Sequence, residues 1–177
     1  ITAHFLFVLL GVFILDQIGF VNIIWEPSTL VHWDAAFYSN IASEGYKYLH
    51  NKGQSNIAFF PLFPLIWKYS HLSALGISIF NISILYVSVY LLRRAYNFTN
   101  WFTVFVLSTP SLMFCFVPYS ESIFYLGGTL LLIGLKDNKR LPLITGIILM
   151  SLARTASMIL VPAFLFIYLF RLMDKKN

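Results

Sequence analysis

Long apolar runs separated by short polar clusters set the pattern of this chain. Residues 5–24 are about twenty mostly apolar positions, enough to cross roughly 30 Å of hydrocarbon as a helix. They predict a first membrane helix and not a signal peptide, because Trp25, Glu26 and Pro27 supply no small-residue cleavage site. Asp16 and Gln17 inside that run are expected to face other helices or water, since an ionisable group against lipid is costly. Residues 73–92 predict a second span closed by Arg93 and Arg94, and residues 101–117 a third with a kink at Pro110. A short fourth, 122–135, ends at Lys136, Asp137, Lys139 and Arg140. Residues 141–172 are too long for one untilted span and are interrupted by Ser151, Arg154, Thr155, Ser157 and Pro162, which predicts two short helices meeting near Arg154. The sum is an all-α polytopic transmembrane bundle of about six membrane helices, one membrane domain over residues 1–177.

Between the first two spans the pattern changes. Over residues 32–46, Trp33, Phe37 and Ile41 recur at helical spacing and predict a short amphipathic helix on the membrane surface, opened by Asp34 and stopped by Gly45. A turn follows at 51–56. Residues 58–65 then place Pro61 and Pro64 three apart, which predicts a re-entrant or surface segment in place of an undisturbed helix. Phe59, Phe60, Leu62 and Phe63 are expected to dip into the interface, with Trp67, Tyr69 and His71 at headgroup level.

Composition agrees with this class. Hydrophobic residues make up 59% of the 177 residues, charged residues only 11%, and the mean hydropathy is +0.78, outside the range of ordinary soluble domains. The single cysteine, Cys115, excludes an internal disulfide and is most simply an apolar helix residue. A net charge of +5 is dispersed between apolar spans, so it argues for topology signals and against nucleic acid. Arg93, Arg94, Lys136, Lys139, Arg140, Arg171, Lys175 and Lys176 then fall on one side, the cytoplasmic one, while Lys47, Lys52 and Lys68 lie in the longer opposite loop.

That topology gathers a set of polar residues on the other side: His32, Asp34, Glu44 and Lys47, the run Pro118, Tyr119, Ser120 and Glu121, and Arg154. Two carboxylates and an arginine at a water–lipid boundary suit glycosyl transfer from a lipid phosphate, in which a base takes the acceptor proton and a cation offsets the departing phosphate. Each member also has a plain structural reading. Asp34 can be an N-cap, Glu121 a favourable charge at a helix start capped by Ser120, and Arg154 a snorkelling side chain.

Four blocks carry a resemblance: His32-Trp-Asp-Ala-Ala-Phe-Tyr-Ser-Asn-Ile-Ala-Ser-Glu-Gly-Tyr46, Phe59-Phe-Pro-Leu-Phe-Pro64, Pro118-Tyr-Ser-Glu-Ser-Ile-Phe124 and Ala153-Arg-Thr-Ala-Ser157. In that order they resemble the PIG-V family, the GPI mannosyltransferase that adds the second mannose, and its bacterial relatives. The resemblance implies a GT-C glycosyltransferase with a polyprenyl-phosphate sugar donor and an essential aspartate in the first extracytoplasmic loop, which maps onto Asp34. The family's arginine block continues with a small residue and a glycine, where this chain has Ala156 and Ser157. Family members are longer, so the chain is expected to correspond to their N-terminal catalytic part.

The expected roles are Asp34 as general base, Arg154 and His32 at the donor phosphate, and Glu121, Tyr119 and Ser120 orienting Arg154 or the acceptor. No cofactor is expected; a divalent ion on Asp34 and Glu121 is an open alternative resting on two scattered carboxylates. The expected partners are the polyprenyl-phosphate donor, a lipid or glycan acceptor, membrane lipids and a possible partner subunit. The expected location is a bacterial inner membrane or an endoplasmic reticulum membrane, with the protein crossing it several times. A transporter or lipid flippase, or a non-catalytic membrane subunit, would use the same charges differently.

Overall fold

The computed structural model describes residues 2–20, 27–48 and 55–174. The remainder includes the end of the expected first span, part of the 51–56 turn with Lys52, and Lys175 and Lys176, all of which lie outside the described residues. Every regular element described is helical. The α-helices are α1 (Thr2–Gln17), α2 (Asp34–Glu44), α3 (Leu62–Ser70), α4 (Ala74–Tyr96), α5 (Asn100–Leu107), α6 (Glu121–Asp137), α7 (Arg140–Ala153) and α8 (Ser157–Asp174), with 3-10 turns at Pro27–Leu30 and Pro110–Cys115.

The expectation of about six membrane helices is overturned. Among the described residues only α4, with 23 residues, is long and apolar enough to cross a membrane. The reasons are local. α1 stops at Gln17 after 16 residues, about 24 Å at 1.5 Å per residue. The expected third span does not kink but breaks: α5 ends at Leu107 after 8 residues, and Pro110, which has no amide hydrogen to donate, starts a separate 3-10 turn. α6 has 17 residues and α7 has 14, both short of roughly 30 Å of hydrocarbon. The break between α7 and α8 at Arg154 is where the polar residues of the apolar run place it.

α4 is capped at both ends by its own sequence. Ser73 Oγ accepts from the Gly76 amide at 3.2 Å, and Asn97 closes the helix in the left-handed conformation. Its inner face carries Ile77, Ser78, Asn81, Leu85 and Ser88, all buried, while Leu75, Ile79, Val87 and Tyr90 form an exposed stripe on the opposite face. α7 repeats the arrangement with Leu141, Ile144, Ile148 and Leu152 exposed. Both helices are therefore apolar on the outside as well as the inside.

α6 lies between α4 and α7. Asn81 bonds to Tyr119 just before α6, and Tyr96 Oη donates to the Leu132 carbonyl at 3.0 Å, so α4 and α6 run parallel and their C-terminal ends share one end of the molecule. α7 returns against α6 at very close range. A Cβ on Gly134 would lie 2.5 Å from the Leu143 backbone nitrogen, and one on Gly146 would lie 2.6 Å from the Gly127 carbonyl oxygen. Only glycine admits that approach. The return carries Arg154, at the end of α7, back to the start of α6.

Candidate active site

Asp34 is the first helical residue of α2, and Trp33 before it has φ 49°, a left-handed value rare outside glycine. The expected amphipathic helix exists, and Gly45 ends it with its amide bonded to the Ile41 carbonyl at 2.9 Å. Its buried face differs from the expected one. Ala35, Tyr38 and Ile41 are buried, whereas Trp33 is 78% exposed because the turn at that residue throws it off the helical stripe. Asp34 is not an N-cap: Trp33 holds that position, and no side chain caps the helix.

Tyr38 lies one turn beyond Asp34 and locks α2 to the start of α6. Its hydroxyl is 2.8 Å from Ser120 Oγ, and both residues are buried. The ring packs edge-on against Phe59 and Phe63 at centroid distances of 5.1 and 5.0 Å, and Phe37 stacks on Phe59 at 4.8 Å. Phe63 of the Phe-Pro segment thus belongs to the core, with Phe59 and Leu62 half-buried against it. Phe63 and Trp67 are buried with Tyr38, Ile77, Ile123 and Ala153. Pro61 is the N-cap of α3 and Pro64 sits in its first turn, where amides have no intrahelical acceptor, so two prolines three apart fit a helix start after all.

The approach to α6 is held from α4. Asn81, fully buried, donates from Nδ2 to the carbonyls of Val117 at 2.7 Å and Tyr119 at 2.8 Å. Asn81 was not among the residues predicted for the site; a lone amide in an apolar stripe marks a polar contact without saying with what. Ser120 occupies the expected N-cap position of α6, but its hydroxyl caps no amide and is hydrogen-bonded to the Tyr38 hydroxyl.

Glu121 opens α6 and forms an ion pair with the Arg154 guanidinium. α7 ends at Ala153, and Arg154 is extended, with φ −152° and ψ 151°. Its carbonyl accepts from Ser157 Oγ at 2.6 Å, so the break is satisfied along the backbone. Burial pushes the Glu121 carboxyl above the ordinary carboxylate range, Arg154 opposes that rise, and Asp34 adds to it. Glu121 Oε2 is buried without a hydrogen-bond partner among the described residues. Burial likewise raises the Tyr38 hydroxyl.

Asp34 and Arg154 face a cavity of about 120 Å³ whose walls are completed by Tyr38, Ala58, Phe59, Phe60, Ala153 and Thr155. The Asp34 side chain makes no hydrogen bond or ion pair among the described residues. One wall thus bears an uncommitted carboxylate and another an arginine whose charge is shared with Glu121. A guanidinium has five N–H donors in a fixed fork, so pairing with Glu121 leaves donors for a second anion.

The other expected residues lie elsewhere. His32 does not join Arg154. It is exposed and lines a separate, largely apolar groove of about 330 Å³ with Thr29, Leu30, Trp33, Met113, Phe114, Val117 and Tyr119. Tyr119 stacks on Phe114, and its hydroxyl donates to the His32 carbonyl at 3.3 Å, so it braces the turn before Asp34. Glu44 and Lys47 pair with each other at 2.6 Å at the far end of α2. No group of three or more His, Cys, Asp or Glu side chains suited to a metal occurs among the described residues. No family model, curated protein or solved structure matches the chain.

Proposed function

We propose that the chain belongs to a membrane glycosyltransferase that moves a hexosyl group, mannosyl by the family resemblance, from a polyprenyl-phosphate donor to a lipid-linked or glycan acceptor on the extracytoplasmic or lumenal face. The observation that carries this reading is the single small cavity faced by the uncommitted Asp34 carboxylate and the Glu121-paired Arg154. Asp34 takes the proton of the acceptor hydroxyl as its oxygen bonds to the anomeric carbon. The bond from that carbon to the phosphate oxygen breaks, and the polyprenyl phosphate leaves with the electron pair. Arg154 offsets the charge on the departing phosphate, and Glu121 holds Arg154 in place. Tyr38 and Tyr119 act on the site through Asp34, by fixing the helix and the turn that carry it.

A protein crossing the membrane more than once, in a bacterial inner membrane or the endoplasmic reticulum, is part of the proposal. Its support is the exposed apolar stripes on α4 and α7, positions where a water-facing helix carries polar residues. A transport path is less well supported, because the ionisable residues of the cavity gather at one end of α4, α6 and α7 and not halfway along them.

The test is Asp34→Asn, assayed for sugar transfer from a polyprenyl-phosphate donor beside donor binding. Loss of the base should lower turnover by roughly 10² to 10⁴, with donor binding retained. Asparagine keeps the shape of aspartate and Asp34 caps no amide, so a purely structural Asp34 predicts wild-type turnover. That result, in a folded variant that binds donor, would remove the catalytic assignment and favour a non-catalytic subunit.

A further inference from the structure

The end of the molecule away from the Asp34 cavity carries a second pocket. It has a volume of about 370 Å³ and is lined by Tyr90, Arg93, Arg94, Asn97 and Phe98. Tyr90 and Arg94 are four apart on α4, so both flank the same groove where the helix ends. No carboxylate lines it. Arg93 is held by donating from Nη2 to Asn100 Oδ1, and Arg94 is exposed and makes no hydrogen bond or ion pair among the described residues.

Two features say what this pocket is suited to hold. The first is charge. Arg93, Arg94, Lys136, Lys139 and Arg140 gather at this end, where Lys136 Nζ lies 4.9 Å from the centre of the Tyr96 ring. Asp137 is the acid among them, and it pairs with Lys139 at 3.3 Å. The α4 carbonyls would repel an anion, but the amides of Asn97 and Phe98 both bond to the Arg93 carbonyl, and two guanidinium charges outweigh the half charge of a helix end. The second is position. α4 is the described helix of membrane length, and its exposed stripe of Leu75, Ile79, Val87 and Tyr90 runs directly to the pocket.

We infer that this pocket binds the phosphodiester headgroup of an anionic phospholipid, with an acyl chain lying along the Tyr90 and Val87 stripe. Arg94 supplies a planar fork for two phosphate oxygens, Arg93 a second positive charge, and Phe98, stacked on Tyr96 at 5.7 Å, an apolar wall for the glycerol. The inference is independent of the transferase reading. It makes Arg93 and Arg94 a site as well as a topology signal.

Native mass spectrometry of the full chain in a non-ionic detergent tests it, with short-chain phosphatidylglycerol titrated against phosphatidylcholine of the same chain length. Phosphatidylglycerol should bind more tightly, and Arg94→Gln should weaken it about fivefold, the effect of one basic residue at an anionic surface. Arg140→Gln, a charge at the same end but outside the pocket, should have a smaller effect. Equal losses from the two variants would reduce the site to a diffuse field and overturn the inference, as would equal binding of the two lipids. Displacement of the lipid by an equal concentration of inorganic phosphate would reassign the pocket to free phosphate. On the wild-type protein alone, phosphatidylglycerol binding should fall as salt rises while phosphatidylcholine binding does not; salt-independent binding would also overturn it.

Discussion

α6 begins and ends in charge, and its two ends hold that charge in opposite ways. At Glu121 the carboxylate is partly buried, paired with Arg154 from α7, and positioned by Ser120 with Tyr38 of α2 and by Asn81 of α4. At Lys136 to Arg140 the charges face outward, the helix is closed by Asn138 in the left-handed conformation, and the Lys139–Asp137 pair is local. An exposed charge needs no tertiary structure to be tolerated, and it returns little stability. A desolvated one survives only with partners from other elements, and the same loss of water is what makes it responsive as a chemical group. The first end is therefore suited to chemistry and the second to orientation and lipid contact.

Removing one cation from each end should give the largest contrast. Arg154→Ala leaves Glu121 without its charged partner and should cost roughly 1.5–3 kcal/mol, the range for a hydrogen bond to a charged group. Arg94→Ala should stay within about 0.5 kcal/mol of wild type, as exposed substitutions do. Denaturant unfolding in detergent measures both, and equal losses would dissolve the distinction between the ends.

A smaller effect should follow Tyr38→Phe, which deletes only the hydroxyl bonded to Ser120. The expected cost is about 1 kcal/mol, with Ser120 Oγ left buried and unpaired. Since Tyr38 fixes α2 and hence Asp34, turnover should fall while donor binding is kept. A stability loss with turnover unchanged would make this contact purely structural.

The smallest effect is in pH. The Glu121 carboxyl is raised in the folded protein, so through the window just above its ordinary value the folded chain keeps a proton that the unfolded chain has released. Its contribution to stability is then fully present below the ordinary value and lost as pH rises through the raised one. Thermal midpoints measured across that window should fall with rising pH more steeply for wild type than for Glu121→Gln. Parallel curves would show that burial does not govern this carboxyl.

Local features were legible where one residue decides the outcome. Gly45 stops α2, and polar residues break the last apolar run at Arg154. Errors arose where the outcome depends on more than spacing. The stripe through Trp33 failed because a left-handed turn at that residue lies outside any helical period. The spacing of Pro61 and Pro64 argues against a helix, but the first turn of a helix has no use for their missing amides. Apolar length over 101–117 hid the break at Pro110, because hydropathy counts residues and not hydrogen bonds.

By itself the sequence determined the helical class of the described residues, the apolar outer faces of α4 and α7, and the local starts and stops of several helices, because these depend on composition, caps and backbone preference within a few residues. Only the tertiary structure decided that Arg154 meets Glu121, that Tyr38 and Asn81 hold the site from two other helices, and that His32, two residues from Asp34, opens onto a different groove. Those outcomes rest on how closely α7 can approach α6 across Gly134 and Gly146 and on which way the chain turns at Trp33. Both depend on steric fit between segments far apart in the chain, to which the residue pattern of any one segment is blind.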